Sequence, residues 1–499
     1  MDKEYSSISK DIAKKALENY ELSGELLKDI RQIEQCLGNP LDLVVKKYSF
    51  KHNAFAVLYI DGMISIDSLD MTVILPLMNW FKENQSPEDF MKEDFQQHIQ
   101  TPKNFSTTAV FSNLIDQLLT GNVILLVAGR TYSYIIADQL MQTRSIEEPS
   151  SQLMVRGPRE GFVETLNINT TLIRRRIMNP ALRFMTFKVG EVTKTPVIIS
   201  YVEGLVDKKA LEIVIERIAT VKPPEVYESG MLEELIDSNR YSPIPTLTNT
   251  ERPDVVCSAI TEGRIAILME GTPFALIGPV NFISFFQTAE DYYNRFDMSS
   301  FVRIIRFLAF WVAFTLPASY IALTTFHQEL IPTDLLISLT AQREGVPFPA
   351  LLEAFIMETV FEILREAGLR MPRPIGPAVS IVGAIVIGDA AVSAGLVSPA
   401  IVIVVSLTAI SSFVSPYYSL AGSVRILRFV LMIFAATSGV FGMLIFTIAM
   451  CIHLVSLESF GRPFMAPFAP LSISGLKDTL IRFPLWWSSR KKTSGGRNQ

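Results

Sequence analysis

The chain has 499 residues, of which 49% are hydrophobic and 19% charged, with a mean hydropathy of +0.31. The length exceeds one ordinary core of ~100–200 residues, and apolar bulk mixed with this much charge fits neither a fully soluble enzyme nor a bundle made only of spanning helices. A formal net charge of -5 leaves no basic stripe for phosphates, which excludes nucleic acid as a partner. Cys36, Cys257 and Cys451 lie far apart without a CxxC, so neither a disulfide framework nor a metal site is indicated.

Residues 1–48 read as a polar helical lead-in, in which Leu26, Leu27, Ile30, Ile33 and Leu37 recur at helical spacing. Met1 to Ile30 holds no apolar core of a signal peptide, so the N-terminal soluble region is expected in the cytoplasm. The run Ala54 to Ile60 closes on Asp61-Gly62, and Val123 to Val127 sits between Gly121 and Gly129, both patterns of buried strands. Val197 to Val202 before Glu203-Gly204, and Ile265 to Met269 between Gly263 and Gly271, repeat the pair. Both offsets are 142 residues (203 − 61 and 263 − 121), which is either an internal duplication or a chance alignment of strand patterns. Helical segments, Ser68 to Phe81 and Lys208 to Ile218, follow the two acid-Gly turns. The expected fold is an α/β soluble region of two similar subdomains, at 49–150 and 151–299, followed by an all-α polytopic membrane domain at 300–457 and a Pro-rich tail at 458–499 whose last ten residues are expected to be disordered.

Phe307 to Gln328 carries no charge and is long enough for a hydrocarbon core of ~30 Å. Pro374 to Gly388, Ala390 to Val424 (with a break near Gly395 to Pro399) and Phe429 to Leu457 are further uncharged blocks. They make four or five spans, depending on whether the helix starting near Pro349 crosses. Arg303 and Arg306, and Arg490 to Lys492, favour both termini inside, hence an even number.

No P-loop, GxSxG, HExxH or GxGxxG after a strand is present, and the four histidines are scattered, so no enzyme is expected. Gly157 to Gly161 lacks the GK[ST] of a phosphate loop and reads as a structured turn, and Arg174-Arg175-Arg176 as a solvated face or a partner contact. The segment Pro349 to Arg370 is the most informative. As a helix at ~100° per residue it sets Glu358, Glu362 and Glu366 on one stripe. Carboxylates at this spacing repel unless water or cations screen them. Around an axis of several copies they would form rings that concentrate cations; alternatively the helix lies flat at an interface with Arg365 or Arg370 as partner. Asp389, alone in an uncharged stretch, is either an intramembrane functional group or a helix-end residue. Ala384 with Gly388, and Ala391 with Gly395, are spaced for close helix packing.

These residues also bring a resemblance to a known family. Val155 to Phe162, Leu172 to Ile177, Thr250 to Asp254, Glu290 to Tyr293, Pro347 to Ala350, Glu353 to Pro372, Gly383 to Pro399, Ser459 to Gly461 and Ala466 to Pro470 follow, in order, the pattern of the A subunits of bacterial spore germinant receptors, the GerA type. Ile244-Pro245-Thr246 departs from the family's Phe-Pro-Gln, and Asp389 stands where Gln is usual. The resemblance implies the inner membrane of a spore, a transporter-like B subunit that senses nutrient, a lipoprotein C subunit and no cofactor. It further implies a homo-oligomeric ring, five-fold, that releases monovalent cations. On that reading Glu358, Glu362, Glu366 and Asp389 are the candidate ion pathway, and Ile356, Val360 and Ile363 a hydrophobic gate that closes by dewetting. Rival readings are a non-conducting scaffold or signalling subunit and, less well supported for want of an inverted repeat, a secondary transporter.

Overall fold

The computed structural model describes residues 20–50, 54–83, 105–137, 149, 152, 154–221, 223–371, 388–473 and 475–488. The stretch 374–387 and the last ten residues, on which expectations were placed, lie outside them. The chain divides into two units, one of residues 1–238, 249–279 and 485–499, the other of 239–248 and 280–484.

The first unit contains two five-stranded sheets. The helix α1 (Leu26–Leu37) precedes β1 (Leu43–Ser49) and β2 (Ala54–Ile60); α2 (Ile66–Leu69) passes through a π turn, Asp70–Ile74, into α3 (Leu75–Glu83). Then come β3 (Phe105–Thr108), α4 (Phe111–Leu119), β4 (Val123–Val127) and β5 (Ser133–Ile136). The strand order is β1-β2-β4-β5-β3, and all four neighbouring pairs are antiparallel. Because side chains alternate along a strand, the apolar runs feed two cores. Phe55, Val57, Tyr59, Leu125 and Val127 pack against Leu69, Val73, Leu77 and Trp80 of the helical segment 66–83. Ala56, Leu58, Ile60, Ile124 and Leu126 pack against Ile30, Ile33 and Leu37 of α1 and Leu114, Ile115 and Leu118 of α4. Both faces are covered, which is why these strands are apolar throughout rather than alternating. The lead-in boundary at 48 falls within β1, whose two lysines among apolar residues suit a sheet edge.

The second sheet repeats the first. After α5 (Leu166–Arg176) come β6 (Leu182–Val189), β7 (Thr195–Val202), α6 (Lys208–Thr220), α7 (Ser229–Ile236), β8 (Thr248–Thr250), α8 (Pro253–Thr261), β9 (Ile265–Met269) and β10 (Ala275–Gly278). The order β6-β7-β9-β10-β8 matches the first sheet strand for strand. The helices α4 and α8 also begin 142 residues apart (253 − 111). The shared order and offset make the two subdomains copies of one plan.

Polar contacts join the copies. Arg174 donates to both oxygens of Asp42, at 2.8 and 3.2 Å, with its guanidinium 4.9 Å from the Phe184 ring centroid. It is 1% exposed, so the first arginine of the basic run is an internal strut and not a solvated face. Arg183 donates to the Leu37 carbonyl at 2.8 Å, and Thr171 to that of Asp61 at 3.2 Å. Arg174→Ala leaves a buried carboxylate without its cation; the expected cost is ~3–5 kcal/mol, read as a lower unfolding temperature of the full chain, and restoration by a simultaneous Asp42→Ala checks the pairing.

On α7, burial and the neighbouring carboxylates of Asp237 and Glu228 push Glu233 up to about 7. The folded chain therefore keeps a proton that the unfolded chain releases near 4.5, and stability falls as pH rises between those values. Glu233→Gln is expected to raise stability at pH 8, by ~1 kcal/mol for a partly solvated group, and to leave it unchanged at pH 4; paired melting curves decide. Burial likewise pushes the thiols of Cys36 and Cys257 up to about 11 and about 12, which makes both poor nucleophiles.

The second unit is helical. It includes α9 (Glu290–Tyr293), α10 (Phe296–Thr325), α11 (Thr333–Arg343), α12 (Ala350–Arg370), α13 (Gly388–Ser393), α14 (Pro399–Phe413) and α15 (Tyr418–Ser456). Among the described residues, α10 and α15 are long and apolar enough to cross a membrane, and α14 is a shorter apolar helix. The apolar block Phe429 to Leu457 is not one straight passage. Gly439 breaks α15 with φ 62° and ψ -142°. Phe434 and Phe446, which would stand about 18 Å apart along one helix, have ring centroids 5.2 Å apart. Residues 418–438 and 440–456 therefore run antiparallel, as a hairpin that turns on a single glycine. A strap, residues 239–248, crosses the open end of this hairpin. Ser423 of the first arm donates to the Pro243 carbonyl, and Ser242 meets His453 Nε2 of the second at 2.9 Å. Ser459 donates to the Thr246 carbonyl at 2.7 Å.

At the start of α10, Asp291 is 2% exposed and accepts from Arg303 Nε at 2.8 Å and Arg306 at 2.7 Å. The C-terminal segment closes over this point, with Asp478 taking a second Arg303 nitrogen at 2.8 Å. The tail from 458 is thus ordered through much of its length.

Candidate functional site

The helix α12 starts where Pro349 and Pro347 prevent any earlier helical turn, and it is held at two levels. Near its start Glu353 is fully buried; one carboxylate oxygen accepts from both the backbone N–H and the hydroxyl of Ser398, each at 2.5 Å. Ser398 is the N-cap of α14, its hydroxyl accepting from Ile401 N–H at 3.4 Å, so a carboxylate on one helix fixes the first turn of another. Arg343 Nε stands 3.7 Å from the second Glu353 oxygen.

Lower on α12 the acids meet arginines of α15. Arg428, 1% exposed, lies 2.8 Å from Glu358, which is fully buried, and 3.3 Å from Glu362. Glu362 also takes Arg425 at 3.3 Å and Arg365 at 2.5 Å. The screening that the spacing of these acids demands is therefore supplied by the protein's own guanidinium groups. Two carboxylates against three guanidiniums leave the cluster formally +1. Phe355 packs on Phe429 beside it, centroids 4.9 Å apart.

The other expected residues separate. Glu366 is exposed and pairs with Arg370 at 2.7 Å. Asp389 is exposed on the short α13 and takes no part in the cluster. Ile356 and Ile363 are 37% and 63% exposed, on a different side of α12 from Glu358, and Val360 is half-buried. Sequence reasoning missed Glu353, which lies off the acid stripe; the one signal for it was the Ser398-Pro399 helix start. Nor does the spacing within α12 point to Arg425 and Arg428, which pair with its acids across more than 60 residues.

A family model described as the Bacillus/Clostridium GerA spore germination protein matches residues 31–494. The chain belongs to this family. Spore germination protein KA of Bacillus subtilis strain 168 is 43% identical over 474 residues, 94% of this chain and 86% of that one. Spore germination protein GerLA of Bacillus cereus is 36% identical, covering 93% and 94%, and spore germination protein B1 of Bacillus subtilis strain 168 is 36% identical, covering 95% and 98%. A crystal structure of the N-terminal domain of the A subunit of the Bacillus megaterium spore germinant receptor GerK3 is 28% identical, covering 53% of this chain and 98% of that one, at a TM-score of 0.41. This GerA protein is thus of the germinant-receptor A-subunit class in spore germination. Several motifs that carried the resemblance turn out to hold one another. Arg252 donates to the Pro158 carbonyl at 2.8 Å, Phe162 N–H to that of Glu251 at 2.7 Å, and Arg176 pairs with Glu160 at 2.5 Å.

Proposed function

We propose that this GerA protein acts in the inner spore membrane, without enzymatic activity, as the subunit through which monovalent cations leave when nutrient binds. In this reading it works with a transporter-like B subunit and a lipoprotein C subunit, forms a five-fold ring, crosses the membrane several times and keeps its N-terminal region in the cytoplasm. The observation that carries the reading is the two-sidedness of α12. Its acids are neutralised against α15, while Leu352, Ile356 and Ile363 face outward, the last 63% exposed. At ~100° per residue Ile356 and Glu358 are about 200° apart, so the resting helix presents an apolar surface to an axis, where a narrow pore dewets. Opening brings the acids toward the path by turning α12 and exchanging their arginine partners. A nutrient bound in a partner needs only a few kcal/mol of differential affinity to shift such an equilibrium.

The test is cation flux from liposomes carrying the chain with its partner subunits. Wild type is expected to show low resting leak and nutrient-triggered flux. Glu358→Gln/Glu362→Gln is expected to reduce the triggered flux or its selectivity, and Ile356→Ser/Ile363→Ser to raise the resting leak. Full burial of Glu358 also suits a second reading, a non-conducting scaffold or signalling subunit whose ion pairs only brace the helices. Absence of flux from a fully assembled wild-type complex would establish the scaffold instead.

A further inference from the structure

The two copies in the first unit meet through different faces. The second copy contributes Thr171 and Arg174 of α5 with Arg183 of β6, and the first contributes Leu37, Asp42 and Asp61. Thr171 lies so close over the Asp61-Gly62 corner that a Cβ on Gly62 would collide with its hydroxyl. Because the copies share one plan, each also carries the face that the other uses here. Those two faces stay open: the α1 side of the first copy and the corner of the second.

Matching hydrogen bonds fix which residues correspond. Asp29 of α1 accepts from the Ser23 N–H at 2.8 Å and Asn169 of α5 from the Val163 N–H at 2.9 Å, each displaced by 140 residues (169 − 29 and 163 − 23). The pair Asn39-Pro40 recurs as Asn179-Pro180 at the same offset. Thr171 therefore corresponds to Arg31, and Gly38 to Met178. At the corner, the Asp61 N–H donates to the Asp42 carbonyl at 2.7 Å and the Glu203 N–H to that of Ala181 at 2.9 Å, so Glu203-Gly204 corresponds to Asp61-Gly62. Both glycines have positive φ, 75° and 85°. Arg31 is exposed and makes no ion pair among the described residues, and Leu27, one turn earlier on the same side of α1, is 59% exposed. On the other open face the Glu203 side chain is 61% exposed, with one oxygen taken by Arg183, and Met178 and Leu205 are 53% and 37% exposed. Where the closed junction sets a threonine over an aspartate corner, the open faces offer an arginine and a glutamate flanked by apolar side chains.

Opposite charge at matching positions selects the partner and fixes its register, and exposed apolar residues supply area to bury. We propose that the first subdomain of one chain docks on the second subdomain of the next by repeating the junction found within the chain, with Arg31 over Glu203 and with Leu27, Met178 and Leu205 covered around them. Such a head-to-tail contact uses a different surface on each partner, so it continues from chain to chain and closes as a ring where the rotation permits. The inference rests on the reading that the chain forms a ring.

The experiment uses the detergent-solubilised full chain with its exposed Cys451 replaced, Cys451→Ser; Cys36 and Cys257 are buried. A short bis-maleimide is applied to Arg31→Cys/Glu203→Cys, to each single variant, and to the two single variants co-expressed. The double variant is expected to give a ladder of linked chains, the co-expressed singles linked pairs and nothing larger, and each single alone no linked product. A single variant that links to itself would mean a two-fold contact and overturns the proposal, as does a double variant that stays unlinked between chains. The mass of the assembly before linking separates the two readings: an oligomer that does not link keeps the ring and discards this surface, whereas a monomer discards both.

Discussion

Arg428→Met is expected to cost the helical unit ~3–5 kcal/mol, because it leaves the fully buried Glu358 without its cation. Glu358→Gln is expected to cost less, since Arg428 keeps Glu362 at 3.3 Å. The combination Glu358→Leu/Arg428→Met is expected to recover most of the loss, because a buried ion pair replaced on both sides by apolar groups leaves no uncompensated charge, and Glu362 retains Arg365 and Arg425. Thermal unfolding of the detergent-solubilised full chain distinguishes these variants. Equal melting of Arg428→Met and wild type would mean that Glu358 is not held as a buried anion by this residue. Because the pair joins α12 to α15, the same series measures how firmly the proposed gating helix is held at rest.

The hairpin in α15 yields the second large effect. A Cβ at residue 442 would fall on the Phe434 carbonyl oxygen of the opposite arm, a backbone atom that cannot swing aside. One at 439 would sit 2.7 Å from His327 Nε2 and 2.9 Å from Phe326 Cβ, at a backbone angle that disfavours side chains. Gly439→Ala and Gly442→Ala are each expected to cost ~2–3 kcal/mol from strain and overpacking, and Gly442→Leu to abolish accumulation of folded protein. A cysteine pair, Phe434→Cys/Phe446→Cys, checks the geometry directly: a short bis-maleimide should join the two positions, whereas a continuous helix would hold them too far apart.

The sheets were legible in the sequence because strands buried on both faces are written as short apolar runs, such as Ala54 to Ile60, closed by turn residues. The duplication was visible in the spacing of its glycines. Edge strand β1 was less so, since Lys46 and Lys47 interrupt its pattern. The reversal at Gly439 could not be read: one glycine inside a long apolar block has no polar turn around it, and the close approach that requires it comes from Phe326 and His327, far away along the chain. The acid spacing on α12 correctly demanded countercharge, but spacing within one helix carries no information about a partner on another. Hence water, cations or Arg365 and Arg370 of the same helix were the expected screens; the structure has both of these arginines on the acids and adds Arg425 and Arg428 from α15.

The strap also decides how the molecule can be dissected. Since residues 239–248 belong with the helical unit although the chain on either side of them belongs to the other unit, no single cut separates the two parts. A fragment starting at 280 lacks the covering of the hairpin's open end, and one ending at 279 carries ten residues whose partners are missing. During synthesis the strap emerges before both hairpin arms, so it has no docking partner until residues 418–456 have been made. Co-expression of 1–279 with 280–499 is the form of split in which every part has its complement.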